Sequence, residues 1–261
     1  MMKNLKKAIC ITLTAVVSFC VLGGCSLWGD PSDKPSKSAG EPTPYNPYKE
    51  EETELERRVS ALPLPEDADI MYIVAGTGEG SECRFYSFVK TNGRWMNVWD
   101  TNGYIGKNGI DPDRAEDSGK TPGGFFRMGE AFGLGKAPDK MSVPYHEVTE
   151  DDYWDGDNNS DKYNTMVKAS EMPAGWDKDA GEHLIDFTIP YQYCVNIEFN
   201  RDPAVPGKGF AIFLHCLGEN EFTGGCVAIP KGYMIKVMKQ LTSNSYMAIV
   251  GNLDELEALV Y

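Results

Sequence analysis

Two reactive side chains lie close together in the stretch Gly209-Phe-Ala-Ile-Phe-Leu-His215-Cys216-Leu-Gly-Glu-Asn-Glu-Phe-Thr223-Gly224-Gly225-Cys226-Val-Ala-Ile-Pro230. A thiol attacks a carbonyl as its thiolate, and an imidazole is the usual base that makes one. An apolar run delivers His215 at its end, where a strand holds a base rigidly. The Gly224-Gly225 pair lets the chain turn tightly and come close to a substrate, and amides in such a turn can hold the oxyanion of an acyl-enzyme. A buried cysteine beside a turn is the competing reading, and a His–Cys pair taken alone favours it.

The elements that must carry these groups are mostly strands. From Ile70 onward, short β-rich runs alternate with turn signals, at 70–75, 83–90, 94–99, 184–189, 193–199, 210–216 and 246–250. The second and third flank Thr91-Asn92-Gly93, a hairpin signal. Residues 231–241 alone have helical spacing, with Tyr233, Met234, Val237, Met238 and Leu241 on one side and Pro230 in the first turn. Alternation sends Phe210, Ile212, Leu214 and Cys216 to one strand face, and Phe213 and His215 to the other. Cys216 should therefore point away from the site, which argues against a Cys216–Cys226 disulfide. Residues 103–180 read as a long irregular excursion of the kind that serves binding. A mainly β domain with one or two short helices and long loops is expected over 61–261.

The His215 segment resembles the catalytic motif of the L,D-transpeptidases (the YkuD-type family), in which an upstream His precedes Ser/Thr-x-Gly-Cys. His215 matches the former and Thr223-Gly224-Gly225-Cys226 the latter. Gly119-Lys120-Thr121-Pro122-Gly123-Gly124-Phe125-Phe126 looks like the family's Gly-x-Thr-Pro-x-Gly-x-Phe stretch, and Tyr153-Trp154 with Tyr163-Asn164 looks like a subgroup's loop. The resemblance implies a β-sandwich or mixed-sheet domain that works without a cofactor or metal. It implies that Cys226 attacks the carbonyl of the third residue of a peptidoglycan stem peptide and expels the terminal D-alanine, and that an amine then resolves the thioester. On that analogy His215 is the base, the Cys216 backbone carbonyl orients it, and the Gly225 and Cys226 amides hold the oxyanion. Thr223, Gly224, Tyr153, Trp154, Tyr163 and Asn164 are placed at the substrate. The chain departs from many members in having Gly224 where they have His, Val227-Ala228-Ile229-Pro230 after the cysteine, and a short loop between base and thiol. A hydrolytic L,D-carboxypeptidase and a non-catalytic wall-binding protein are the rivals. A His215–Cys226 pair should make acylation rise between about pH 5 and 8.

The remaining candidates read more plainly. Cys83 and Cys194 fall on expected strands as buried thiols. His146 and His183 read as surface or loop residues, and a zinc site from His183, Cys194, His215 and Cys226 lacks paired short spacings. Asp155-Gly-Asp157-Asn-Asn159-Ser-Asp161 has the alternating oxygens of a calcium loop but not its sixth-position glycine or twelfth-position glutamate, so a solvated acidic loop is favoured. Tyr153, Trp154 and Tyr163 either line a groove or pack the loop down. Lys120 and Arg127 either receive a substrate carboxylate or face solvent.

The first 24 residues read as an address. Lys3, Lys6 and Lys7 precede an apolar run to about Leu22, and Leu22-Gly23-Gly24-Cys25 resembles the bacterial lipobox, with Cys25 as the lipidated residue. Such an anchor places the protein outside the cytoplasmic membrane, and Cys10 and Cys20 leave with the leader. Residues 25–60 read as a flexible linker, rich in Pro, Ser and Lys, of which about 25 residues reach on the order of 75 Å; a short helix is expected over 50–61. The whole chain of 261 residues carries 25 Lys and Arg against 39 Asp and Glu, a net charge of −14. That balance excludes the basic footprint of a nucleic-acid binder.

Overall fold

The computed structural model describes residues 51–78 and 80–259. Helix α1 (Glu54–Ser60) leads into strands β1 (Ile70–Gly76), β2 (Glu82–Thr91), β3 (Arg94–Tyr104), β4 (Ile110–Asp111), β5 (Thr121–Pro122) and β6 (Gly124–Gly133). Short strands β7 (Tyr145–Glu147), β8 (Asp152–Trp154), β9 (Met166–Lys168) and β10 (Glu182–His183) follow. The chain continues with β11 (Cys194–Ile197), β12 (Phe213–Cys216), β13 (Val227–Ile229), helix α2 (Lys231–Gln240) and β14 (Ser245–Val250). The domain is mainly β. Its principal sheet runs β11-β12-β13-β3-β2-β1-β14-β6-β7, and β6 also pairs with β11, so the sheet closes on itself. The hairpin at 91–94 turns through Asn92 (φ 52°) and Gly93 (φ 77°), both in the left-handed region that suits the twist of the strands.

The central strands are apolar on both faces, and the structure uses both. Ile70, Tyr72 and Val74 of β1 join the main core with Phe85, Trp99, Leu214, Val227 and Ile229, under Met234, Val237 and Met238 of α2. Met71, Ile73 and Ala75 face a second core with Val59 of α1. Helix α1 is fixed by a Thr53–Glu56 capping box, and Glu56 also accepts from the Asn97 amide at 3.0 Å. The stretch assigned to the spacer thus ends in a helix packed on the sheet, where burying a residue such as Val59 is worth about 1.5–3 kcal/mol. Leu22, Cys25 and the rest of the leader and linker up to residue 50 lie outside the described residues.

Three expected elements are different. Residues 184–189 form no strand: Leu184–Asp186 is a 3-10 turn, and a second, Pro190–Gln192, follows with Pro190 in its first turn. Residues 103–180 contain a full sheet strand, β6, whose glycines break the alternation; Gly129 leaves room for the Asn196 side chain, which a Cβ would meet at 2.9 Å. The strand over 210–216 begins only at Phe213. Ala211 sits at φ 52°, which turns Phe210 over to pack with Phe213 instead of with Ile212 and Leu214.

Candidate active site

The parallel pairing of β12 and β13 sets the site. Leu214 is level with Val227 and His215 with Ala228, so Cys226, one residue before β13, stands level with Phe213. Cys226 and His215 therefore share one face of adjacent strands, offset by two residues, while Leu214, Cys216, Val227 and Ile229 fill the main core behind them. Both side chains are nearly enclosed, Cys226 at 8% and His215 at 7% exposure. Both line a cavity of about 680 Å³ with Arg114, Glu182, Tyr191, Phe210 and Thr223.

The hydrogen bonds fix each group. His215 Nδ1 meets the Cys216 carbonyl at 2.7 Å, a contact in which Nδ1 must donate, so the neutral ring presents Nε2 as an acceptor. The Cys226 Sγ accepts from the Phe213 amide at 3.3 Å and donates to the Ala211 carbonyl at 3.3 Å. Thr223 Oγ1 donates to the Cys226 carbonyl at 2.7 Å, and Thr121 Oγ1 donates to the same oxygen at 3.3 Å. Thr121 thus brings the Thr-Pro stretch under the cysteine. Gly225, at φ 156°, passes the Lys120 carbonyl where a Cβ would sit at 3.0 Å. Its amide, expected at the oxyanion, donates to Thr223 Oγ1 at 3.1 Å within the turn.

Burial dominates the electrostatics. It pulls the His215 imidazole down to about 4, opposed by the bond to the Cys216 carbonyl. It pushes the Cys226 thiol up to about 12; the charge of Glu182 adds to that rise, while the Phe213 amide and Arg114 oppose it. At neutral pH the resting pair is therefore a thiol and a neutral imidazole, not the thiolate that the sequence pattern suggests. A proton leaves the sulfur only when a neighbouring group receives it.

The loop residues expected at the substrate hold the site from beneath. Trp154 is fully buried against Phe132 and Phe213, and its Nε1 donates to Asn164 Oδ1 at 2.9 Å. That same oxygen accepts from the Ala211 amide at 3.1 Å, so Trp154 and Asn164 steady the backbone that receives the Cys226 thiol. Tyr163 is buried and donates to Glu116 at 3.2 Å. Tyr153 stacks on His183 at 4.3 Å and lines a separate cavity. Asp155 and Asp157 are buried rather than solvated: Asp155 accepts from the Asp157 amide and Trp176 Nε1, and Asp157 from the Asn159 and Asp177 amides. Lys120 is paired with Asp111 at 2.8 Å, and Arg127 donates to the Ser243 carbonyl at 2.8 Å.

His146 pairs with Asp152, and His183 with Asp186 and the Glu150 carbonyl. The four described cysteines, Cys83, Cys194, Cys216 and Cys226, are all free thiols. Among the described residues no group of three or more His, Cys, Asp or Glu could hold a metal ion.

Among the cavity residues that no motif in the sequence marks are Arg114, Glu182 and Tyr191. Tyr191 sets its ring edge against His215 at 5.6 Å and donates its hydroxyl to Glu182 at 2.5 Å. Burial pushes Glu182 up to about 7, opposed by that hydrogen bond. The folded chain therefore holds the Glu182 proton more tightly than the unfolded chain, and stability is lost as pH rises from the ordinary carboxylate range through about 7. Glu182→Gln keeps an acceptor for Tyr191 and removes that loss. Its melting midpoint should exceed that of the unsubstituted chain by more at pH 8 than at pH 5, as calorimetry will read; an equal difference at both pH values would show that Glu182 does not titrate.

No curated protein matches the chain. A family comparison does find a match: residues 65–250 fit the YkuD family, the L,D-transpeptidase catalytic domain. The matched region runs from before β1 to the end of β14 and takes in the whole closed sheet, including the strand pair that carries His215 and Cys226. The chain thus belongs to the YkuD family of L,D-transpeptidase catalytic domains.

Proposed function

We propose that the protein is a cysteine acyl transferase acting on peptidoglycan stem peptides. The observation that carries this reading is the juxtaposition of the Cys226 thiol and the His215 imidazole on one face of two adjoining strands, at a common cavity. In the first half-reaction, Cys226 Sγ attacks the carbonyl of the third stem residue while His215 Nε2 takes the thiol proton. The C–S bond forms, the C–N bond breaks, and His215 gives the proton to the departing D-alanine amine. In the second, an acceptor amine attacks the thioester. The C–S bond breaks, and the amine's proton returns through His215 to the sulfur. The Cys226 amide is the donor we assign to the oxyanion, since that of Gly225 is spent on Thr223.

Burial of both groups supports a neutral pair that shifts its proton in the transition state rather than a standing ion pair. We further propose that the enzyme works outside the cytoplasmic membrane, held by lipid on Cys25. Purified protein and a tetrapeptide donor, with and without an amine acceptor, test the reaction. A joined product in the presence of the amine is expected. Release of free tripeptide regardless of the amine would make the enzyme an L,D-carboxypeptidase. Absence of both products would leave a wall-binding module.

A further inference from the structure

Arg114 lies in the loop between β4 and β5 and is 8% exposed, yet its buried Nε and Nη1 have no hydrogen-bond partner. A cation removed from water without a partner is costly, and a guanidinium presents a planar fork that fits a carboxylate through two parallel bonds. The guanidinium rests against the Phe199 ring, 5.6 Å from its centroid, which supports its charge but satisfies none of its N–H groups. Two glycines make its seat. A Cβ on Gly209 would collide with Nη1, and one on Gly225 would come within 3.5 Å of Nη2. Gly225 immediately precedes Cys226, and both Arg114 and Cys226 line the same cavity. The other two basic candidates, Lys120 and Arg127, are engaged elsewhere.

We propose that Arg114 binds the free C-terminal carboxylate of the donor peptide, making the site specific for removal of a single terminal residue. This deepens the acyl-transfer reading and rests on it. The carboxylate of a terminal residue lies next to the last amide bond of a peptide. A fixed guanidinium beside the thiol therefore brings that bond, and no internal one, to the sulfur. Glu116, Asp117, Glu182, Asp186 and Glu219 also line the cavity, and Glu116 and Asp117 act on Arg114 itself; Arg114 is the one Lys or Arg in the lining, so an anion entering the cavity has no other cationic side chain of that kind to meet. The carboxylate leaves with the expelled amino acid, which frees Arg114 before the acceptor amine arrives.

The test titrates two tetrapeptides into the full chain carrying Cys226→Ala, which binds without turnover. Both peptides end in D-alanine, one as the free acid and the other as the carboxamide. The acid should bind about 10- to 100-fold more tightly. The gap should close to within about twofold when Arg114→Gln is added and be kept in part by Arg114→Lys. Equal binding of acid and amide to the Cys226→Ala chain, which needs no change at Arg114, overturns the proposal, as does a gap that survives Arg114→Gln. Turnover by the unsubstituted chain is read separately. If no peptide is cleaved or joined, the acyl-transfer reading falls, while the acid–amide gap still decides the anion site.

Discussion

Incubation with a carbapenem will add the mass of one inhibitor molecule to the intact protein, and Cys226→Ala will abolish the adduct. Opening of the β-lactam follows the course of the first half-reaction: a C–S bond forms, the ring C–N bond breaks, and the proton passes to the ring nitrogen. Of the four described cysteines only Cys226 lines the cavity. Cys83 and Cys216 are buried in the main core, and burial pushes the Cys83 thiol up to about 12. Cys194 is fully buried on β11 and does not line the cavity. The alanine variant should fold, since it removes one sulfur atom, with its packing and its two hydrogen bonds to Phe213 and Ala211, and leaves the backbone bonds of the turn in place. Peptide turnover should fall by more than about 10³-fold. An adduct that persists in Cys226→Ala, or that maps to Cys83, would end the assignment of the nucleophile.

The pH dependence separates a neutral pair from an ion pair. With His215 at about 4 and Cys226 at about 12, acylation should climb as pH rises through about 4, when the imidazole loses its proton and can act as base. The climb between pH 5 and 8 that an ordinary imidazole implies is thereby moved downward by burial. A smaller decline near 7 belongs to Glu182, whose ionisation raises the thiol further, and it should vanish in Glu182→Gln. His215→Gln should lower acylation by about 10²- to 10⁴-fold and remove the acid limb altogether. Stopped-flow acylation from pH 3.5 to 9 reads all three. A main inflection near 6.5 that disappears with His215 would show the ring open to water. Slow alkylation of Cys226 by iodoacetamide at pH 7 is the matching chemical sign, since a thiol at about 12 is almost wholly protonated there.

The residues with chemistry were legible because their chemistry constrains the sequence. The alternation around Leu214 placed Cys216 in the core and His215 on the opposite face, and the structure keeps both. The hairpin at Asn92-Gly93 and helix α2 were equally plain, since a left-handed turn and a 3.6-residue period leave local marks. What escaped depends on contacts distant in sequence. Arg114 is a single charged residue on a loop and Glu182 one on the two-residue strand β10, and nothing near them in the chain distinguishes a side chain folded into a cavity from one in solvent. Asn164 was placed at the substrate by the resemblance of Tyr163-Asn164 to a subgroup's loop; its partners, Ala211 and Phe199, lie some forty residues away in the chain and leave no local mark. Strand β6 was hidden by the glycines that let neighbouring strands come close.

The offset between β12 and β13 has one more consequence. A slip of a single residue between these strands would turn Cys226 inward and carry Val227 to the cavity, exchanging the reactive group for an inert one. The same strands also form part of the packed interior, so the two cannot settle independently. A half-assembled chain is consequently latent: it has the sulfur and the imidazole but not their alignment, and reactivity emerges only once the closed sheet has locked its final register.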